Sequence, residues 1–146
     1  MNTLAIADAI AARFVGLTAN GEALVAPPTA RLPGTIANGP VILVFPPTGS
    51  LEVGVSARRD DLYTFPVRLL RDPVSYPERY IAIYAWYDAM HDLIGGQMQL
   101  GLSYVSIAEP VAVSLEIDSK AYYAGTYDVV ELTVEVRVNE HVTVAV

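Results

Sequence analysis

A chain of 146 residues with nine basic and sixteen acidic side chains, net charge −7 and no cysteine fits one domain with its own core. That balance argues against gripping a polyanion across a broad face, and the absent cysteines exclude disulfide frameworks, thiol nucleophiles and Cys-based zinc sites. Hydrophobic residues reach 53% against 17% charged, more apolar than the usual soluble balance of roughly half to a quarter, so the surplus points to a partner chain.

In chain order, Ile6, Ala7, Ile10, Phe14 and Leu17 recur at helical spacing, which predicts an amphipathic helix over 4–17 with Asn2 or Thr3 as its N-cap. This stretch holds Asp8 and has no basic residue before Arg13. It therefore lacks the charged start of a secretory signal, and retention in a cytoplasm is the expectation. Gly16, Asn20 and Gly21, then Pro27-Pro28, Pro33-Gly34 and Asn38-Gly39-Pro40, predict a mostly loop segment over 18–40.

Val41, Ile42, Leu43, Val44 and Phe45 read as a buried strand, closed by Pro40 and by Pro46-Pro47. No apolar run in the chain approaches the roughly 20 residues of a membrane helix. Leu51, Val53 and Val55 alternate with polar or small residues, and Tyr63, Phe65, Val67 and Leu69 resume the alternation, which predicts a β-hairpin over 51–70. Its loop would carry Arg58, Arg59, Asp60 and Asp61. Pro66 cannot donate a ladder hydrogen bond and is expected at an edge or a bulge.

Ser75, Pro77 and Glu78 have capping-box spacing, and Gly95-Gly96 supplies a stop, so a second helix is expected over about 76–94. Tyr80, Tyr84, Tyr87 and Ile94 form one apolar stripe; Ile83, Trp86, Met90 and Leu93 form another. One stripe suffices for the helix's own sheet, so the second, with Ile83, Trp86 and Met90, is a candidate contact with a neighbouring subunit. Residues 104–118, interrupted at Pro110, and 127–138 are expected as long strands. Val130, Leu132, Val134, Val136 and Val138 give the strongest alternation in the chain, and Val142, Val144 and Val146 continue its parity. The fold class that follows is α+β: one domain over 1–146, mostly antiparallel sheet, two helices packed on it and a long hairpin.

Chemistry-bearing patterns are sparse. His91 and His141 stand fifty positions apart without a partner at metal-ligand spacing, and Gly49-Ser50 does not complete a nucleophile elbow. No phosphate-loop or dinucleotide glycine pattern occurs. The Arg58, Arg59, Asp60, Asp61 cluster reads as a solvated turn or a ring contact before it reads as a carboxylate pair. Glu116, Asp118, Glu131 and Glu135 fall on the polar parity of their strands and read as a wet sheet face. Tyr122, Tyr123 and Tyr127 suit either a subunit contact or a satellite cluster packing the turn. No catalytic residue, cofactor or metal is expected.

Several of these elements resemble the tail terminator proteins of long-tailed bacteriophages. The likeness runs through the N-terminal helix, the hairpin ending in Phe65-Pro66-Val67-Arg68-Leu69 and the helical Ala85-Trp86-Tyr87-Asp88-Ala89-Met90. It continues through Gln99-Leu100-Gly101 and Tyr123-Ala124-Gly125-Thr126-Tyr127-Asp128 into the last strand. The 18–40 segment and the valine-rich 139–146 depart from that pattern. The resemblance implies a non-enzymatic virion protein, a homohexameric ring capping the head-proximal end of the tail tube. Its implied partners are itself, the major tail tube protein and a head-side connector or head-closure protein, with DNA passing through the lumen. The alternatives are another neck component, a minor tail protein, or a small non-viral ligand-binding α+β domain.

Overall fold

The structure is a computed structural model that describes residues 2–34, 39–53, 58–72, 78–120 and 125–141; at 50–53, 58–60, 120, 140 and 141 it describes the backbone alone. Helix α1 (Thr3–Ala12) starts where the Asn2 side chain accepts the Ala5 N–H at 3.0 Å, filling one of the donors a helix start leaves open. It stops five residues before the expected Leu17. A turn led by Arg13 and closed by Gly16, at φ +82°, carries Phe14 into the core instead.

The expected loop over 18–40 holds a small hairpin, β1 (Thr18–Ala19) and β2 (Glu22–Ala23), turned by Asn20 and Gly21, both at positive φ. A two-residue Asn-Gly connection is the strongest short hairpin signal, and here it joins two strands of two residues each. Thr29 then lies beside Leu43 in a parallel bridge.

The main sheet has order β3-β5-β7-β6, with β4 also pairing β5: β3 is Val41–Val44, β4 Thr48–Val53, β5 Arg58–Arg71, β6 Val105–Lys120 and β7 Thr126–His141. All these pairings are antiparallel. Strand β5 is flanked on one side by β7 along its length and on the other by β4 and then β3. Pro66 sits where those two partners hand over. Its carbonyl accepts the Phe45 N–H at 2.9 Å, so the side of the strand that lacks its N–H faces the gap between β3 and β4. The expected edge or bulge is thus a break between successive partners, which spares the ladder equally well.

Both helices lie on one face of this sheet. Ile42 and Val44, Phe65, Val67 and Leu69, and the run Val130 to Val138 at alternate positions meet Ile6, Ile10 and Phe14 of the α1 region and Ile83, Trp86 and Met90 of α2 (Glu78–His91). Each such side chain, nearly all at 0–2% exposure, adds roughly 1.5–3 kcal/mol by burial. The stripe reserved for a neighbouring subunit is therefore the one the chain uses for itself. Tyr84 and Ile94, on the other stripe, are exposed, as is Ile81 in the first part of α2. The residues of the expected capping box before Glu78 lie outside the described residues.

Candidate functional site

Charged side chains converge at one end of the β5–β7 ladder, where Arg71 and Asp128 are cross-strand partners. Arg71 Nε and Nη2 donate to the two carboxylate oxygens of Glu22 at 2.9 and 3.0 Å, and the Trp86 indole N–H donates to the same carboxylate at 2.7 Å. A β2 carboxylate, a β5 guanidinium and an α2 indole thus close one knot. Burial alone would push the Glu22 carboxyl up; the hydrogen bonds from Arg71 and Trp86, with the Arg71 charge, outweigh it and hold the group below its ordinary value.

Arg79, at the start of α2, forms the second knot. Its Nε donates to Asp128 at 2.8 Å, and its Nη2 reaches both Asp128, at 2.6 Å, and Asp118. Its hydrogen bonds to Asp128 and then to Asp118 raise the guanidinium pKa above its already high value. Asp128 is fully buried and also accepts the Asp118 N–H. Strand parity predicts Asp118 on the wet face. A β-bulge between Glu116 and Ser119, with Asp118 at φ +57°, breaks the alternation and delivers its carboxylate to the helix side.

These groups hold charge in place; they are poorly suited to move protons. Each carboxylate faces an arginine, and in this cluster no nucleophile stands beside a base. The plain chemical role of both knots is to clasp the small hairpin and α2 to the sheet. Sequence spacing carries no trace of them, since Glu22 lies 49 positions from Arg71 and 64 from Trp86.

The expected loop cluster is corrected by the ladder. Arg58, Arg59, Asp60 and Asp61 are the first residues of β5, paired with His141, Glu140, Asn139 and Val138. Asp61 is only 3% exposed and accepts the Tyr63 hydroxyl at 3.3 Å. Four adjacent charges look like a turn in one dimension; all four paired with β7, and Arg59 to Asp61 with β4 as well, they continue a strand. Gly49 shares this neighbourhood: a Cβ there would come within 2.6 Å of the Tyr63 ring, so only glycine lets that ring lie across β4.

Tyr127 is buried with Val41, Leu43, Phe45, Leu70 and Val129 in a small cluster on the opposite face of the sheet, which is the satellite reading. Tyr122 and Tyr123 lie outside the described residues. His91 is exposed at the end of α2 and stacks on Tyr87; the His141 side chain is not described. A shallow cavity of about 350 Å³ along 97–108 is lined by Gln97, Gln99, Ser103 and Ser106 among apolar neighbours, without a charged group. A second, of about 340 Å³, carries only Arg13 and Asp92 as charged lining. Among the described residues no group of three His, Asp or Glu side chains could hold a metal ion, and no helix is long and apolar enough to cross a membrane.

The remainder of that second face carries charged side chains beside exposed Ile107. Arg68 pairs with Glu131 at 3.2 Å and lies 4.6 Å from the centre of the Phe45 ring. Farther along, Glu109 of β6 stands directly opposite Glu135 of β7, Ile107 opposite Arg137 and Ser114 opposite Glu131. With exposed Glu116, four carboxylates share this face with two arginines among the described side chains. No protein-family model matches the chain, and no curated protein matches it.

Proposed function

We propose that the chain is a structural, non-enzymatic virion subunit that self-associates into a ring at the head-proximal end of a phage tail tube. There it stops tail polymerisation and offers a surface for joining the head. The observation that carries this reading is the helix-free sheet face with Glu109 opposite Glu135. Like charges at directly paired positions work against the sheet, and a face of that sign repels a passing polyanion without holding it. A ring lined in this way lets DNA slide.

Exposed apolar side chains on the helix layer support the self-association. Leu4 and Val15 around α1, and Ile81 and Tyr84 on α2, remain in contact with water in the isolated chain. Subunits related by a rotation that closes would cover two different faces of each copy, the tail tube protein and a head-side connector occupying the two ends. The tail terminator resemblance supplies the virion setting, and the expected ring is a hexamer.

The test is genetic and visual. Deleting the gene and imaging the particles should show tails grown past their normal length, or tails that fail to join filled heads. Tails of normal length still attached to heads would reject the reading. Normal tails beside unjoined, leaking heads would move the chain to a head-closure role.

A further inference from the structure

The outer edges of the main sheet are treated differently. On β3, Thr29 donates to the Ile42 carbonyl and accepts from Val44, so this edge is blunted. The first part of β6 is blunted too, because its Ala108 and Pro110 carbonyls accept from Met98 and Gly95. From Ala112 to Asp118 no strand pairs with that edge among the described residues. The outer edge of β4 is also open there, but it is six residues long and includes Gly49, which makes it the weaker template.

Alternation of the antiparallel ladder fixes which groups of β6 are left unmatched. Val113 and Leu115, opposite Leu132 and Val130, turn their N–H and C=O groups away from β7. An open edge of this kind is a template for another strand. Its side chains have two characters. Val113, Leu115 and Ile117 pack against the core on the helix side, whereas Ala112, Ser114 and Glu116 are exposed on the other.

We propose that this edge of β6 is a strand-addition site, and that its occupant is residues 142–146 of a second copy of the chain. Val142, Thr143, Val144, Ala145 and Val146 carry no charged side chain and alternate large with small. Paired at the edge, the valines extend the row of Val113, Leu115 and Ile117, while Thr143 and Ala145 extend the small and polar row beside Ala112 and Ser114. No side chain of the segment adds repulsion to Glu116 and Asp118.

Reach excludes the chain's own edge. β7 ends at His141, three positions past Val138, which lies opposite Val105. At about 3.3 Å per strand residue, the path from there back to Ala112 is roughly 30 Å. Five extended residues span at most about 17 Å. The segment can meet this edge only in another copy. Such a contact is heterologous, joining the end of one subunit to the side of the next, and it closes into a ring when the rotation permits. The inference rests on the self-association proposed above.

Light scattering after size-exclusion chromatography tests it, with three proteins compared: the full chain, a chain lacking 142–146, and Val113→Pro. Proline at 113 removes an outward N–H while sparing the β6–β7 ladder, and a thermal scan checks that each protein is folded. The expected result is an oligomer for the full chain and loss of that oligomer in both variants. Because the chain has no cysteine, separately made Ser114→Cys and Thr143→Cys proteins should form a mixed disulfide on oxidation after mixing, well above either protein alone. An oligomer of undiminished mass without 142–146 overturns the inference and leaves the ring intact as a reading. A monomeric full chain overturns both.

Discussion

Glu109 and Glu135 stand directly opposite one another on β6 and β7, and neither makes an ion pair among the described residues. A directly opposed pair of like charges lowers stability by some tenths of a kcal/mol to about 1 kcal/mol. Glu135→Gln should therefore stabilise the chain by that amount in urea unfolding at low salt, with the gain shrinking as salt is added. An unchanged midpoint would show that solvent already screens the pair. Glu109→Lys together with Glu135→Lys should turn an acidic face into one that retains duplex DNA at low salt, readable by gel shift.

Trp86 combines packing with one hydrogen bond to Glu22, and two substitutions separate the contributions. Trp86→Phe keeps most of the ring volume and loses the N–H, which should cost about 1.5–3 kcal/mol, the range for a bond to a charged group. Trp86→Ala should cost about 3–5 kcal/mol. Denaturant unfolding of the two variants gives both values; equal losses would assign the whole effect to the hydrogen bond.

The depressed Glu22 pKa fixes the sign of an acid effect. Because the folded chain holds this carboxyl below its ordinary value, its contribution is complete above that value and disappears as pH falls through the folded one. Glu22→Gln should be less stable than the parent near about pH 6, and the gap should narrow by about pH 3. A gap that stays constant across the range would exclude ionisation of Glu22 as its source.

The Arg79 knot predicts a ranking. Asp128 is fully buried and Asp118 has a side chain 59% exposed, so Asp128→Asn should lower the thermal midpoint far more than Asp118→Asn. The reason is that a buried guanidinium partner cannot be replaced by water. Equal shifts for the two variants would contradict the geometry.

Pro66 makes a further contrast testable. Its missing N–H faces the gap between β3 and β4, so Pro66→Ala should stay within about 0.5 kcal/mol of the parent. Val67→Pro, one residue on, removes a donor directed at β7 and should lower stability by more than about 1 kcal/mol. Circular dichroism melts distinguish them.

The strongest one-dimensional signals survived into three dimensions. The valines from 130 to 138 form the buried row of β7, Val41 to Phe45 are buried, and the mixed α+β architecture follows from them. The failures share a cause. Which stripe of α2 faces the sheet depends on where Glu22 and Arg71 await Trp86, and that is a matter of tertiary partners. Four charges at 58–61 imitate a turn because period and polarity say nothing of ladders on both sides. The side chosen by Asp118 turns on a bulge, a single inserted residue that no alternation count reveals.

Trp86 is the only tryptophan of the chain, and it lies at 0% exposure between α2, β2 and the sheet. The protein consequently carries one built-in optical reporter, seated where helix, hairpin and sheet meet. Its emission should be blue in the folded chain and shift red when that junction opens. Mixing subunits would leave the signal unmoved if assembly occurs at the sheet edge, so folding and assembly can be followed in one cuvette as separate events.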